Sequence, residues 1–289
     1  MLGSISCVTI SAHDLDAVQD AYAHLDYRVS GDGRISDQQA ELWQAPEMTD
    51  APFILLSPAA GNDFCFRFVN RPHDPDYVPL TTFGWNASEL IVQNVDAMAE
   101  KLADSPFDII GPPKNLSFTD DIRAMQMRGP ADEVVYLTEF KNKVPGLDEP
   151  PARCPVDRTF IVILGGPSMD DLQNYFADEF AVSKAPVMDS RITLASKAFG
   201  LPLEHRYPIA ALALQEQSFI EVDELPDLAK PRTASAGLLV PGIAIVSFRT
   251  TDAVADAHRS MPCDLPGYAS AAVSCRRGVT GELIETIHV

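Results

Sequence analysis

Basic residues are scarce in this chain: 22 Lys and Arg stand against 41 Asp and Glu over 289 residues, a formal charge of -19. Such a surface repels phosphate backbones and anionic lipid, which argues against nucleic-acid and membrane partners. The chain also lacks any uninterrupted apolar run near the ~20 residues that a bilayer span needs. Its first residues carry no basic segment, and Ser4, Ser6, Thr9 and Ser11 interrupt the first apolar stretch, so no signal peptide is expected. Cys7, Cys65, Cys154, Cys263 and Cys275 are odd in number and match no CxxC or zinc-ribbon spacing. They read as reduced thiols of a cytoplasmic protein, with Cys7 and Cys65 as small buried hydrophobes. The nucleophile elbow G-x-S-x-G is missing. Gly165-Gly166-Pro167 precedes a helix without the lysine of a phosphate-binding loop.

What is present is ordinary for a globular protein: 46% hydrophobic and 22% charged residues. The length is a soft prior for two domains. Between Val144 and Asp157 the chain has Pro145, Pro150, Pro151 and Pro155 and no apolar periodicity, which reads as a linker. The expected organisation is a domain over 1–144, a linker over 145–157 and a second domain over 158–289.

Each half divides again. Ser88–Val92 reads as a strand, Val95, Met98, Ala99 and Leu102 recur at helical spacing, and Asn94 is placed to cap that helix. Strands follow over Ile122–Met127 and Val134–Glu139, separated by a turn at Gly129–Glu133. The first unit repeats the order, with a strand at Cys7–Ser11, a helix capped by Asp14, and strands near Ala40–Trp43, Ile54–Leu56 and Phe64–Phe68. A third unit opens at Phe160–Leu164, has a helix over Met169–Phe180, and ends at Phe219–Val222. A fourth opens at Ile243–Phe248, has a helix near Asp252–Ser260, and ends at Glu282–Thr286. Each unit is too small to bury a sheet face alone, so the units are expected to pair. The fold class is α+β: four βαβββ modules paired into two domains of curved mixed sheets, one cavity per half.

This order resembles the vicinal-oxygen-chelate superfamily of glyoxalases, bleomycin-resistance proteins and extradiol dioxygenases. The residues that carry the resemblance are Val92-Gln93-Asn94-Val95-Asp96, Ala12-His13-Asp14-Leu15-Asp16, and the turn and strand from Met127 to Leu137. Four units with a central linker look most like the extradiol dioxygenase layout. The resemblance implies metal ligands in opening and closing strands. Those positions fall on Cys7, Ala87, and near Ile161 and Ile243, then near Cys65 and on Tyr136, Glu221 and Glu285. Isoleucine, alanine and a thiol pair make a poor site for a divalent ion, so no metal and no cofactor is expected.

The residues then offer three functions. The first is a metal-independent isomerase or lyase acting on a small oxygenated substrate, aromatic-derived or a 2-oxo acid. Tyr136, Glu221 and Glu285 are its catalytic candidates, the two glutamates as a pair facing one cavity. Arg67 and Arg123, in apolar strands, would together hold a carboxylate, and His73 and His205 would line the site. The second is a sequestering protein of the bleomycin-resistance type. The third is a metal enzyme with displaced ligands drawn from Cys7 or His13 with Glu139. A small molecule is the expected partner in each case, and a homodimer is compatible with all three.

Overall fold

The computed structural model describes residues 1–145, 147–253 and 260–289. The first unit comprises β1 (Leu2–Ala12), α1 (Leu15–Ala23), β2 (Arg28–Arg34), α2 (Asp37–Leu42), β3 (Pro52–Ser57) and β4 (Cys65–Asn70). The second has β5 (Gly84–Val92), α3 (Val95–Leu102), β6 (Asp108–Leu116), β7 (Thr119–Arg128) and β8 (Val134–Phe140). The third has β9 (Val156–Gly166), α4 (Met169–Phe180), β10 (Met188–Ser190), α5 (Thr193–Phe199), β11 (Tyr207–Ala213) and β12 (Phe219–Glu224). The fourth has β13 (Gly242–Thr250), β14 (Ser260–Pro262), β15 (Ala272–Arg277) and β16 (Leu283–His288). The helix expected near Asp252–Ser260 falls largely on 254–259, outside the described residues.

The repeat is visible in how each unit is stitched. Side-chain caps start the helices: Ala17 N donates to Asp14 Oδ1 and Ala97 N to Asn94 Oδ1, both at 2.9 Å, and Asp171 N to Ser168 Oγ at 3.2 Å. The end of each closing strand reaches back to the same corner. Asn70 Nδ2 donates to His13 O at 3.2 Å, Glu139 accepts from Val95 N at 2.9 Å, Glu224 accepts from Met169 N at 2.8 Å, and His288 Nδ1 lies 2.8 Å from Asp252 O.

Four modules do pair into two curved, eight-stranded mixed sheets, but the partners differ from those expected. The first sheet has the order β14-β15-β16-β13-β1-β4-β3-β2, and the second β10-β11-β12-β9-β5-β8-β7-β6. The first module therefore joins the fourth, and the second joins the third. At each seam two opening strands run antiparallel, Cys7 opposite Ser247 and Ala87 opposite Ile163. The proline-rich connection links two units of one sheet and separates nothing. Arg153 fastens it, donating to Asp157 in β9 at 2.8 Å and to Asp63 before β4 at 2.9 Å.

Two local expectations also change. Ala40–Trp43 is not a strand: Ser36 Oγ accepts from Gln39 N at 3.2 Å and starts α2 there. The missing strand is β2, a polar edge strand whose sequence has no apolar alternation to betray it.

Period-2 alternation sorts the central strands onto two faces. Val8, Ile10, Leu90, Leu137, Val162, Ile220, Val246 and Ile284 face one large core that both sheets share with α1, α3 and α4. Tyr22 sits in its middle, edge-on to Phe66, Phe68 and Phe107 at 5.2, 5.0 and 5.4 Å. The opposite, concave face of each sheet holds the alternate residues.

Candidate functional site

In every unit the closing strand runs parallel to its own opening strand, so the register defines equivalent positions. On the first concave face Cys7 lies beside Cys65, and Ser247 beside Glu285. Together with the antiparallel seam this puts Cys7, Cys65, Ser247 and Glu285 side by side across four strands. Glu285 is 1% exposed. Trp43 Nε1 donates to its Oε1 at 2.8 Å and Ser247 Oγ to its Oε2 at 2.6 Å. Arg67, two residues beyond Cys65 and also 1% exposed, places Nη1 3.9 Å from Glu285 Oε2. Its Nη2 donates to Asp264 Oδ1 at 3.0 Å, and the guanidinium lies over the Trp43 ring at 5.1 Å. Burial opposes that charge, but Asp264, Cys7 and Glu285 outweigh it and hold Arg67 above its ordinary basicity.

This face is filled. The segment from α2 through the 3-10 turn Pro46–Met48 lays Ala40, Trp43 and Met48 against it, with Leu265 and Tyr268 from the fourth unit. A divalent ion of the kind the fold family implies needs three or four converging donors. Here a guanidinium stands among the corner residues, and both oxygens of the one carboxylate are already engaged. Among the described residues, no three His, Cys, Asp or Glu side chains are grouped to hold an ion. The residues present do not fit that group. The displaced set fares no better, because Glu139 caps α3 while His13 stands beyond β1 against the His73 ring.

The second concave face is different in kind. Glu89 lies beside Tyr136 across the β5–β8 register, Ile163 beside Glu221 across β9–β12, and Asp223 follows Glu221 on the same face. Ala87, Ile161 and Ile163 make the floor, and Leu80 and Leu194 of α5 close one end. Glu89, Tyr136, Ile161 and Glu221 remain half-buried and thus reachable. Asp223 is 5% exposed, and its Oδ1 has no hydrogen-bond partner. Among the described residues no Lys, Arg or His forms an ion pair with any of these three carboxylates, so their burial is not offset by a cation.

The electrostatic result follows from that. Burial pushes Glu89 up to about 7, with a small offset from Thr138. Burial alone pushes Asp223 up to about 7. Glu221 stands between them and is raised well above the carboxylate range, by burial first and then by Asp223 and Glu89. Tyr136 is raised too, by burial and by Glu221, Asp223 and Glu89. The face therefore holds a neutral phenol and three carboxyls whose burial favours the protonated form.

Of the residues expected to form a site, Tyr136 and Glu221 come together. Glu221 and Glu285 do not pair: they lie on different sheets, because their modules have different partners. Arg67 and Arg123 do not converge either. Arg123 lies on the helix-bearing side of the second sheet, donating to Asp96 through Nη2 at 2.8 Å and Nε at 2.9 Å. His73 stands in the connection after β4, its ring 5.2 Å from that of His13. His205 packs edge-on to Tyr207 at 4.7 Å, before β11. Glu89 and Asp223 escaped notice in the sequence. The available signal was alternation: Ala87, Glu89 and Ile91 share a face, as do Phe219, Glu221 and Asp223.

No protein-family model matches the chain, and no curated protein matches it. Solved structures do match in fold. Glyoxalase I from Zea mays superposes with a TM-score of 0.64 at 12% identity, over 99% of this chain and 92% of its own. A point mutant of the same maize enzyme gives 0.65 at 13% identity, over 99% and 92%. A candidate dioxygenase from Bacillus subtilis gives 0.61 at 11% identity, over 99% and 85%. The chain has the vicinal-oxygen-chelate fold, in its two-sheet, four-module form. No helix among the described residues is long and apolar enough to cross a membrane.

Proposed function

We propose that the concave face of the second sheet binds a small oxygenated molecule and moves a proton beside its carbonyl group, as a metal-independent isomerase or lyase. The observation behind this is the grouping of Tyr136, Glu89, Glu221 and Asp223 on a half-buried apolar floor without a counter-cation. Asp223 or Glu89, near half-ionisation at neutral pH, takes the proton from carbon. Glu221 and Tyr136, held neutral, donate to the oxygen on which charge develops. Returning the proton to the neighbouring carbon completes an isomerisation, and expelling a leaving group completes an elimination. Three carboxyls and no cation disfavour an anionic ligand, so a neutral hydroxy-carbonyl or aromatic-derived compound suits the face better than a 2-oxo acid. The acidic surface and unpaired cysteines agree with a cytoplasmic protein that handles small molecules.

The test is proton exchange. Neutral α-hydroxy ketones and aryl α-hydroxy ketones are incubated with the protein in D2O and followed by NMR. Exchange of the α-proton by the wild type, lost in Glu221→Gln and Tyr136→Phe, supports the reading. No exchange with any compound, or equal exchange in the variants, removes it. The apolar floor of Ala87, Ile161 and Ile163 favours a second reading, a sequestering protein. Calorimetry that finds tight binding of the same compounds without exchange would select it.

A further inference from the structure

One buried charge remains without an explanation in either concave face. Arg71 follows β4, and its backbone N donates to Ala12 O at 2.8 Å, prolonging the β1–β4 pairing by one residue. Its side chain is 5% exposed, and its close polar partner among the described residues is Asp74. Nε is buried with no partner. The nearest charge is Asp74 Oδ2, 3.6 Å from Nη2, too long for a hydrogen bond. Burial lowers the basicity of Arg71, and Asp74 does not make up the difference. Two other arginines are well supplied: Arg232 donates to Thr82, Trp85, Asn86, Pro241 and Ile243, and Arg153 to Asp63 and Asp157. A guanidinium has five donors, and leaving them unused under cover is costly unless something brings acceptors.

Arg71 lies at a shallow, solvent-open cleft between the end of β1, the β4–β5 connection and the start of β13. His13 and His73 stand edge to face on its rim. A neutral imidazole carries one N–H and a protonated one two, so both rings offer donors in either state. Asp74 and Asp132 are the carboxylates that line the cleft. Asp74 is the loose present neighbour of the guanidinium, and a better-placed acceptor would displace it.

We infer that this cleft is a binding site for a small oxyanion, a carboxylate or a phosphate group, with Arg71 as the anchor and His13 and His73 as flanking donors. The planar fork of a guanidinium matches two oxygens of either group. The cleft is too shallow to enclose a drug-sized body, so it takes a small anion or the charged end of a larger molecule against its surface. It lies apart from the second concave face and stands whether or not that face is catalytic.

The experiment is a thermal-shift and calorimetric titration of the full chain with sodium phosphate and with sodium acetate, at ionic strength held constant with sodium chloride. A saturable effect of phosphate alone assigns a phosphate site, and one of acetate alone a carboxylate site. Arg71→Gln should weaken binding by about ten-fold or more. Asp74→Asn should tighten it, because the competing carboxylate is gone, a change that a purely structural role for Arg71 would not produce. His73→Ala alters an exposed residue and should weaken binding without unfolding the chain. Glu221→Gln should leave binding unchanged. Neither anion acting beyond chloride, or Asp74→Asn and His73→Ala both binding as the wild type does, would overturn the assignment.

Discussion

Trp43 reaches from the end of α2 into the first concave face, and its indole N–H holds Glu285 Oε1 at 2.8 Å. This bond reinforces the β1–β13 seam between the first module and the fourth, and it accounts for a carboxylate that looks catalytic in the sequence. With Ser247 and Arg67 it makes Glu285 part of a closed polar network.

Glu285 should therefore matter for stability and not for turnover. Glu285→Ala leaves Arg67 buried with Asp264 alone, and breaking a buried pair of this kind costs about 3–5 kcal/mol. Chemical denaturation should show that loss. Proton exchange, measured on the folded fraction, should be preserved. A stable Glu285→Ala protein without exchange would return this residue to the active site.

On the second face the expectations reverse. Tyr136→Phe and Glu221→Gln remove groups from a half-buried surface, and their melting temperatures should stay near that of the wild type. General acid–base groups contribute about 10²–10⁴-fold in rate, so each variant should lose at least about 10²-fold. Steady-state assays on any compound that exchanges will measure this.

The buried carboxyls give stability a specific dependence on pH. Glu89 and Asp223 rise to about 7 from ordinary values of 4.5 and 3.8. Glu133, in the hairpin turn before β8, also rises to about 7, mainly through burial. Such groups hold protons in the folded state that the unfolded chain has released. Their contribution is complete below about pH 4 and is lost as the pH rises towards 7. Urea midpoints should fall across that window, and Glu89→Gln with Asp223→Asn should flatten the fall. A wild-type profile that climbs from pH 5 to 7 and is unaltered by those substitutions would contradict the assigned burial.

Arg232 should prove a structural clamp. It bonds to Thr82, to Trp85 O and Asn86 in the second sheet, to Ile243 O in the first and to Pro241 O just before it, while covering the Tyr77 ring at 5.2 Å. Arg232→Met removes charge-assisted bonds worth about 1.5–3 kcal/mol each in isolation, with several carbonyls left unpaired. A fall in stability of about 3 kcal/mol or more is expected from denaturant titration.

Chelation offers a further check. Since Arg67 stands among the corner residues of the first face and the carboxyls of the second face do not converge on one point as ion ligands would, dialysis against EDTA should change neither melting temperature nor proton exchange. A clear drop in either, restored by one divalent ion, would mean that the donors rearrange around a metal.

Much of the architecture was legible because it is local. Asp14 and Asn94 announce helix starts by the chemistry of their side chains, and Met169–Phe180 shows its helical period without interruption. The turn before β8 is equally explicit: Glu133 accepts from Ala131 N at 2.9 Å, and the fourth unit repeats the device with Glu282 and Thr280. What stayed hidden is non-local. Nothing near Cys7 says that its antiparallel neighbour is Ser247, some 240 residues on, so in the sequence Glu285 looks like a partner of Glu221. Ala40–Trp43 misled because a short apolar stretch suits either a strand or a buried helix end. Glu89 is silent in the sequence because a lone acid in an apolar strand reads as an outward residue until the opposing faces are known.

The pairing of first with fourth and second with third modules has one more result. Cutting the chain in its proline-rich connection would not release two independent folds. Each fragment would carry half of both sheets, with its opening strands left as raw edges. The fragments should be insoluble or loosely structured alone and should reassemble when mixed, as a split protein that complements itself.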